Sequence, residues 1–389
     1  MSRWAIALLP AALLAASAGA RDTAHTAPAR HWIASWGSSQ MIADGDNAVP
    51  ADRARAVTLR QVIRLSAGGD HLRVRLSNAF GTRPLTIAAG HVARSPSPQT
   101  GEIVGGVPLT FAGHADAVIP AGAELYSDPV AMPVAAGADL AVSLYLPEAA
   151  VPQTGHPGAR AISFALAGNH IADASLAGAT QTPHWYALAD VEVAGPANAG
   201  SIVAIGDSIT VGYGVKPSRN PRWTDILAER LRRTPATRGT GVVNAGIGGN
   251  RILLEGVNDL GVLTREAPAT PAQHTALVTQ IITAYTELVT RAHAHDIKVI
   301  GATITPFGGN DYYHPGSASE ADRQAINTFI RTSGLFDAVI DFDRVMRDPA
   351  QPARLDPAVD SGDHLHPSEA GYRRMGEAVP LALFGSGRR

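Results

Sequence analysis

The chain has no cysteine among its 389 residues. That absence excludes disulfides, thiolate nucleophiles and cysteine-ligated zinc or iron–sulfur sites. It also excludes a lipoprotein anchor, which needs a cysteine just behind its signal sequence. Aromatic residues are sparse at 5%, and charged residues make up 17% with a formal net charge of −2. Such a balance gives no footing to a nucleic acid or an anionic membrane, so neutral or weakly charged substrates fit better. Long apolar runs are scarce as well. One, Trp4 to Ala16, follows Arg3 and precedes Ala18-Gly19-Ala20. A positive start, a short apolar stretch and a small-residue cleavage site make a secretory signal. The stretch is interrupted by Pro10 and too short for a bilayer span. Residues 1–20 are therefore expected to be a signal peptide and the mature protein to be secreted or periplasmic, with no membrane span.

Hydrophobic residues make up 45% of the chain, enough for a sizeable core, and the length favours two domains. Residues 31–195 have the texture of β-structure. Val57, Leu59, Ile63 and Leu65 alternate with Thr58, Arg60, Arg64 and Ser66. A Gly68-Gly69-Asp70 turn leads to Leu72, Val74 and Leu76, again alternating with polar residues. These runs read as a hairpin with one buried face. Leu140, Val142, Leu144 and Leu146 repeat the pattern. Frequent Gly, Pro and Asn between such runs suggest a β-sandwich or jelly roll.

The texture changes across the small-residue linker Gly195 to Gly200. In residues 200–389 apolar strands at Ile202–Ile205, Val242–Val243, Val299–Ile304 and Ala338–Phe342 alternate with helical patterns. The helices are expected at Trp223–Arg233, Pro271–Ala294 with Thr270 as cap, Ala321–Ile330 and Ser368–Leu383. This order is that of an α/β domain, a mainly parallel sheet with helices on both faces. Ligands bind such sheets at the carboxyl ends of the strands.

The candidate chemistry sits at those ends. Ile205-Gly206-Asp207-Ser208-Ile209 closes the first strand and puts a serine at the mouth of the sheet. Serine becomes a nucleophile only beside a base, and Gly-Asp-Ser alone also marks simple turns. Asp363-His364-Leu365-His366-Pro367 lies just before the last helix. Its spacing lets Asp363 accept from one ring nitrogen of His366 and leave the other as a base. The segment alone also suits a helix cap with a surface histidine, or a metal site from Asp363, His364 and His366 that no other ligand cluster supports. The turn Asn244 to Asn250 can expose a backbone N–H at Gly249, and Gly256-Val257-Asn258-Asp259 offers a side-chain amide. With the Ser208 N–H these would make three donors around a developing oxyanion. Thr305 to Tyr313 follows a strand on the same side, with aromatics that fit either a substrate pocket or a surface loop. A full Gly-x-Gly-x-x-Gly dinucleotide signature is absent.

Taken in order, Gly206-Asp207-Ser208-Ile209, the turn ending in Gly249, Gly256-Val257-Asn258-Asp259 and Asp363-x-x-His366 resemble the four motifs of the SGNH/GDSL hydrolase family. The resemblance implies a flavodoxin-like three-layer fold and hydrolysis of carboxylic esters, carbohydrate acyl esters included, without a metal or cofactor. It assigns Ser208 as nucleophile, His366 as base and Asp363 as its orienting partner. The oxyanion hole would be the N–H groups of Ser208 and Gly249 and the side chain of Asn258. The β-rich half resembles the amino-terminal domain of exported two-domain members. Ile209 stands where the family has leucine.

One departure is large. Family members place a helix and most of a strand between the glycine turn and the Asn-bearing motif, whereas Asn250 to Glu255 runs straight into Gly256. In a 2-1-3-4-5 sheet the strands at Val242 and Ile252 would flank the Ile202 strand. The link Ile247 to Arg251 reaches at most about 17 Å. Returning one strand length while stepping across two strand spacings needs about 19 Å. The segment between Asn250 and Leu254 is thus too short to hold a crossover. Either Ile252 to Glu255 is a loop, with a gap beside the Ile202 strand, or the oxyanion hole is incomplete. An impaired enzyme, or a carbohydrate-binding protein built on an inactive hydrolase half, is the corresponding alternative function.

Overall fold

The computed structural model describes residues 30–50, 54–149, 152–249 and 256–385. The expected signal peptide at 1–20 and the short segment 250–255 lie outside the described residues. The β-rich half is built on two antiparallel sheets. One orders the strands His31–Gly37, Leu188–Gly195, Gly69–Ser77 and Val130–Val134, with Glu124–Tyr126 also on Gly69–Ser77. The other orders Thr180–Thr182, Ser163–Ala167, Arg55–Arg64, Asp139–Glu148, Ala89–Arg94 and Val104–Leu109. Inward residues of both, among them Ile33, Leu59, Leu72, Val74, Leu144 and Val191, form one core.

The expected hairpin is not there. Arg55–Arg64 pairs with Asp139–Glu148 and Ser163–Ala167, while Gly69–Ser77 belongs to the opposite sheet. Alternation reports which face is buried but not which strand fills each edge, and residues 65–68 carry the chain from one sheet to the other. The polar face of Arg55–Arg64 is buried too. Arg60 is fully enclosed, giving its guanidinium to the Ser143 hydroxyl and to the carbonyls of Gly101, His170, Ile171 and Asp173. That burial pushes its pKa down to about 10, against the pull of Asp173.

In the α/β half Ser201–Gly206 runs parallel to Gly241–Gly246, and Ile300–Ala302 parallel to Ala338–Ile340. Helices occupy Trp223–Arg233, Pro271–His293, Ser317–Thr332 and Glu369–Ala378. Local chemistry sets their ends. Thr270 and Gln273 form a capping box ahead of Pro271, and Ser368 accepts from the Gly371 N–H. Asp341 accepts from the Arg344 N–H, so the strand expected to reach Phe342 stops and a short helix Phe342–Met346 begins. Gly256-Val257-Asn258-Asp259, read from the sequence for its side-chain amide, opens a further helix at Val257–Arg265.

The four parallel strands do not join into one sheet among the described residues. Among the described residues Ser201–Gly206 pairs on one edge alone, and two apolar residues of that strand, Val203 and Ile205, are 54% and 45% exposed. Its other face packs Ile202 and Ala204 into a core with the helices Trp223–Arg233 and Glu369–Ala378. A separate core gathers Leu260, Ile281, Ile304, Ile326 and Leu365. Because Val203 and Ile205 bury little, Val203→Thr with Ile205→Thr should change stability by no more than about 0.5 kcal/mol. In a covered sheet the same pair would cost several times that. Urea midpoints of the two proteins decide between these outcomes.

A buried charge network braces the second core. Arg323 and Asp343, both fully enclosed, pair at 2.7 Å, and Asp343 also accepts from Arg331 at 2.5 Å. Asp343→Ala leaves Arg323 its pair with Glu320 but removes the enclosed carboxylate that it shares with Arg331, and should cost about 3 kcal/mol in chemical denaturation. A loss below about 1 kcal/mol would show the network to be no stronger than a surface pair.

The two halves form one compact unit, His31–Arg389. Strand His31–Gly37 lies against Gly241–Gly246, and both contacts need glycine. A Cβ on Gly241 would stand 2.1 Å from the Ala34 carbonyl oxygen, and one on Gly37 2.9 Å from Val243. Ser66 accepts from the Val242 N–H, and the Ser39 hydroxyl donates to the Ala245 carbonyl.

Candidate active site

Ser208 follows Ser201–Gly206 as the first residue of the short helix Ser208–Val211. Asp207 caps that helix, its Oδ1 accepting from the Ile209 N–H at 2.8 Å. A cap of this kind fixes the sharp strand-to-helix turn, which holds the serine at the strand's carboxyl end. Gly246 lets the neighbouring strand close in, because a Cβ there would stand 2.6 Å from the Val211 nitrogen.

His366 arrives from the far end of the chain. Its Nε2 lies 2.8 Å from the Ser208 hydroxyl oxygen, and its Nδ1 lies 2.6 Å from Asp363 Oδ2. Asp363 Oδ1 accepts from the N–H groups of Leu365 and His366 and from the Ser361 hydroxyl. Burial alone would raise the Asp363 carboxyl, but the His366 ring and those backbone donors outweigh it and hold it below the usual carboxylate range. A carboxylate that stays ionised keeps the hydrogen of His366 on Nδ1 and a lone pair on Nε2, facing the serine. His364 turns away to Asp360, its Nδ1 2.6 Å from Oδ2. Among the described residues no three His, Cys, Asp or Glu side chains are placed to share a metal.

The residues expected to form an oxyanion hole are placed less uniformly. Gly249 is exposed on the turn after Gly241–Gly246, with a positive φ of 70° that suits glycine. Asn258 is buried in the first turn of Val257–Arg265. Its Nδ2 donates to Asp207 Oδ2 at 3.2 Å, and its Oδ1 accepts from the Tyr313 hydroxyl at 2.7 Å. Asp207 thereby ties the serine turn to the Asn258 helix. An amide nitrogen carries two hydrogens, so this bond engages one of them.

Of four supports, Tyr213 and Arg160 carry no sequence signal, while Asn310 and Tyr313 lie in the Thr305–Tyr313 segment whose aromatics fit either a pocket or a surface loop. Tyr213 stacks on His366 with ring centroids 4.2 Å apart and planes 31° apart. Asn310 donates to the Asp363 carbonyl and accepts from the Tyr313 N–H. Tyr313 orients Asn258 and is buried, while its neighbour Tyr312 is exposed and bonded to Arg265. Thus the Thr305–Tyr313 loop splits its tyrosines between core and surface. Arg160, from the β-rich half, lies with its guanidinium 4.8 Å from the Tyr213 ring.

Residues 204–374 match the model of the GDSL-like Lipase/Acylhydrolase family. Among solved structures, the chain is similar to an acetyl xylan esterase from Geobacillus stearothermophilus, at 18% identity over 49% of this chain and 96% of that one, with a TM-score of 0.34. It is similar to a member of the lipolytic protein G-D-S-L family from Veillonella parvula at 18% identity, 46% and 94% coverage and a TM-score of 0.30. A GDSL-like lipase from Bacteroides thetaiotaomicron gives 17% identity, 47% and 87% coverage and a TM-score of 0.32. No curated protein matches. Behind its β-rich half, the chain thus carries a GDSL-like lipase/acylhydrolase domain at residues 204–374.

Proposed function

We propose that this protein is an exported serine esterase, cleaving carboxylic esters, carbohydrate acetates among them, through an acyl-enzyme. Ser208 attacks the ester carbonyl while His366 Nε2 takes its proton. The oxyanion is held by the N–H groups of Ser208 and Gly249 and by the Asn258 amide. His366 then protonates the leaving alcohol, and water repeats the cycle on the acyl-enzyme. The observation that carries this reading is the unbroken run of hydrogen bonds from Ser208 through His366 to Asp363, at 2.8 and 2.6 Å. Side chains 158 residues apart in sequence have no packing reason to meet in that order. The finer fold reading, a single flavodoxin-like sheet, belongs to this proposal and needs residues 250–255 to bridge the two strand pairs. Export rests on the amino-terminal sequence signal.

Removing the Asn258 donor, as in Asn258→Ala, should slow turnover about a hundred- to a thousandfold. A fluorophosphonate probe tests the assignment directly. Covalent labelling that maps to Ser208, together with release of 4-nitrophenol from its acetate, is the expected result. An unlabelled Ser208 in folded protein that is retained on insoluble polysaccharide would replace the esterase with a carbohydrate-binding protein.

A further inference from the structure

We propose that Arg160 is a specificity residue of this site, and that the preferred esters carry a carboxylate within one short chain of the scissile bond. The proposal rests on the esterase reading above and adds a substrate class to it. Arg160, Tyr213 and His366 form a continuous stack, with steps of 4.8 Å and 4.2 Å. Tyr213 is 46% exposed, so the stack borders open space beside the base.

The guanidinium is poorly served by the protein. Among the described residues its side chain has no ion pair and no hydrogen bond, and its Nε is buried without a partner. The enclosed Nε is out of a ligand's reach, but the two terminal nitrogens carry four further donors with no protein partner among the described residues. Neighbouring Arg222 differs in this respect. It donates to the carbonyls of Val211 and Ala159 and sits 3.5 Å from Asp225.

The backbone holds Arg160 there against preference. Its φ is +54°, a left-handed conformation rarely tolerated outside glycine, asparagine and aspartate. The loop is tied to the hydrolase half on both sides. The Ser218 N–H donates to the Arg160 carbonyl at 2.9 Å, and the Ser218 hydroxyl accepts from the Ile162 N–H at 3.0 Å. Burial lowers the pKa of Arg160, and the other groups acting on it are Tyr213, Tyr372 and Arg222, with no carboxylate among them. What remains is a fixed positive fork without a counter-ion, which matches a carboxylate in shape and charge. A net charge of −2 over the whole chain gives no sign of it.

The test compares two chromogenic esters of equal chain length, 4-nitrophenyl hydrogen adipate and 4-nitrophenyl hexanoate, on the full chain and on Arg160→Gln. The parent should prefer the anionic ester in kcat/KM by about tenfold or more, chiefly through KM, with the preference shrinking at high salt. In Arg160→Gln the ratio should fall to about one. Calorimetric binding of monomethyl adipate against methyl hexanoate, with Ser208→Ala added to both proteins to prevent cleavage, should give the same ratios without relying on turnover. No preference in the parent, or a ratio that Arg160→Gln leaves unchanged, overturns the proposal. The second outcome would mean that Arg160 merely steadies Tyr213 against His366. Failure of the esterase reading itself would show separately, as an unlabelled Ser208.

Discussion

Ser208→Ala is expected to lower ester turnover about a millionfold while leaving the fold intact. Among the described residues the hydroxyl has a single protein partner, His366 Nε2, and alanine is at least as comfortable in the first turn of a helix. What disappears is the nucleophile, so rate falls to what the oxyanion donors and binding alone supply. The measurement is 4-nitrophenyl acetate turnover alongside a thermal melt. Turnover within about tenfold of the parent would remove Ser208 from its role.

Asp363→Asn should cost about ten-thousandfold in kcat with little change in melting temperature. The separation of effects follows from how the two carboxylate oxygens are used. Oδ1 holds the loop through Ser361, Leu365 and His366, and the asparagine oxygen can keep all three bonds. Oδ2 faces His366 Nδ1 at 2.6 Å, where the asparagine nitrogen would present hydrogens instead of accepting one. The ring is then driven to carry its hydrogen on Nε2, aimed at Ser208, and cannot act as base. A kcat near that of the parent would reduce Asp363 to a loop brace.

Much of this was legible in the sequence because it rests on short-range chemistry. Helix Trp223–Arg233 and the box at Thr270 and Gln273 follow from local pattern and capping. The Asp363-x-x-His366 spacing folds back on itself within one turn, so its internal bond needs no help from the rest of the chain. Sheet membership was not legible. Thr58 and Arg60 look like solvent-facing positions until loops from residues 101 and 168–173 arrive to cover them. Tyr213, Asn310, Tyr313 and Arg160 carry no motif, since each acts through a neighbour supplied by another segment. The shortness of Asn250 to Glu255 was visible by counting residues, and among the described residues the two pairs of parallel strands do not join.

Two separate cores also place a mechanical demand on the triad. Ser208 is followed by Ile209, which packs into one core, whereas Leu365, next to His366, packs into the other. Ser208 and His366 thus neighbour different hydrophobic clusters of one compact unit, linked by the loop from Val359 to Ser368 and by the Asp207–Asn258 bond. Loosening between the clusters would widen the Ser208–His366 gap before either cluster unfolds, so ester turnover should fall on heating at a lower temperature than the thermal melt.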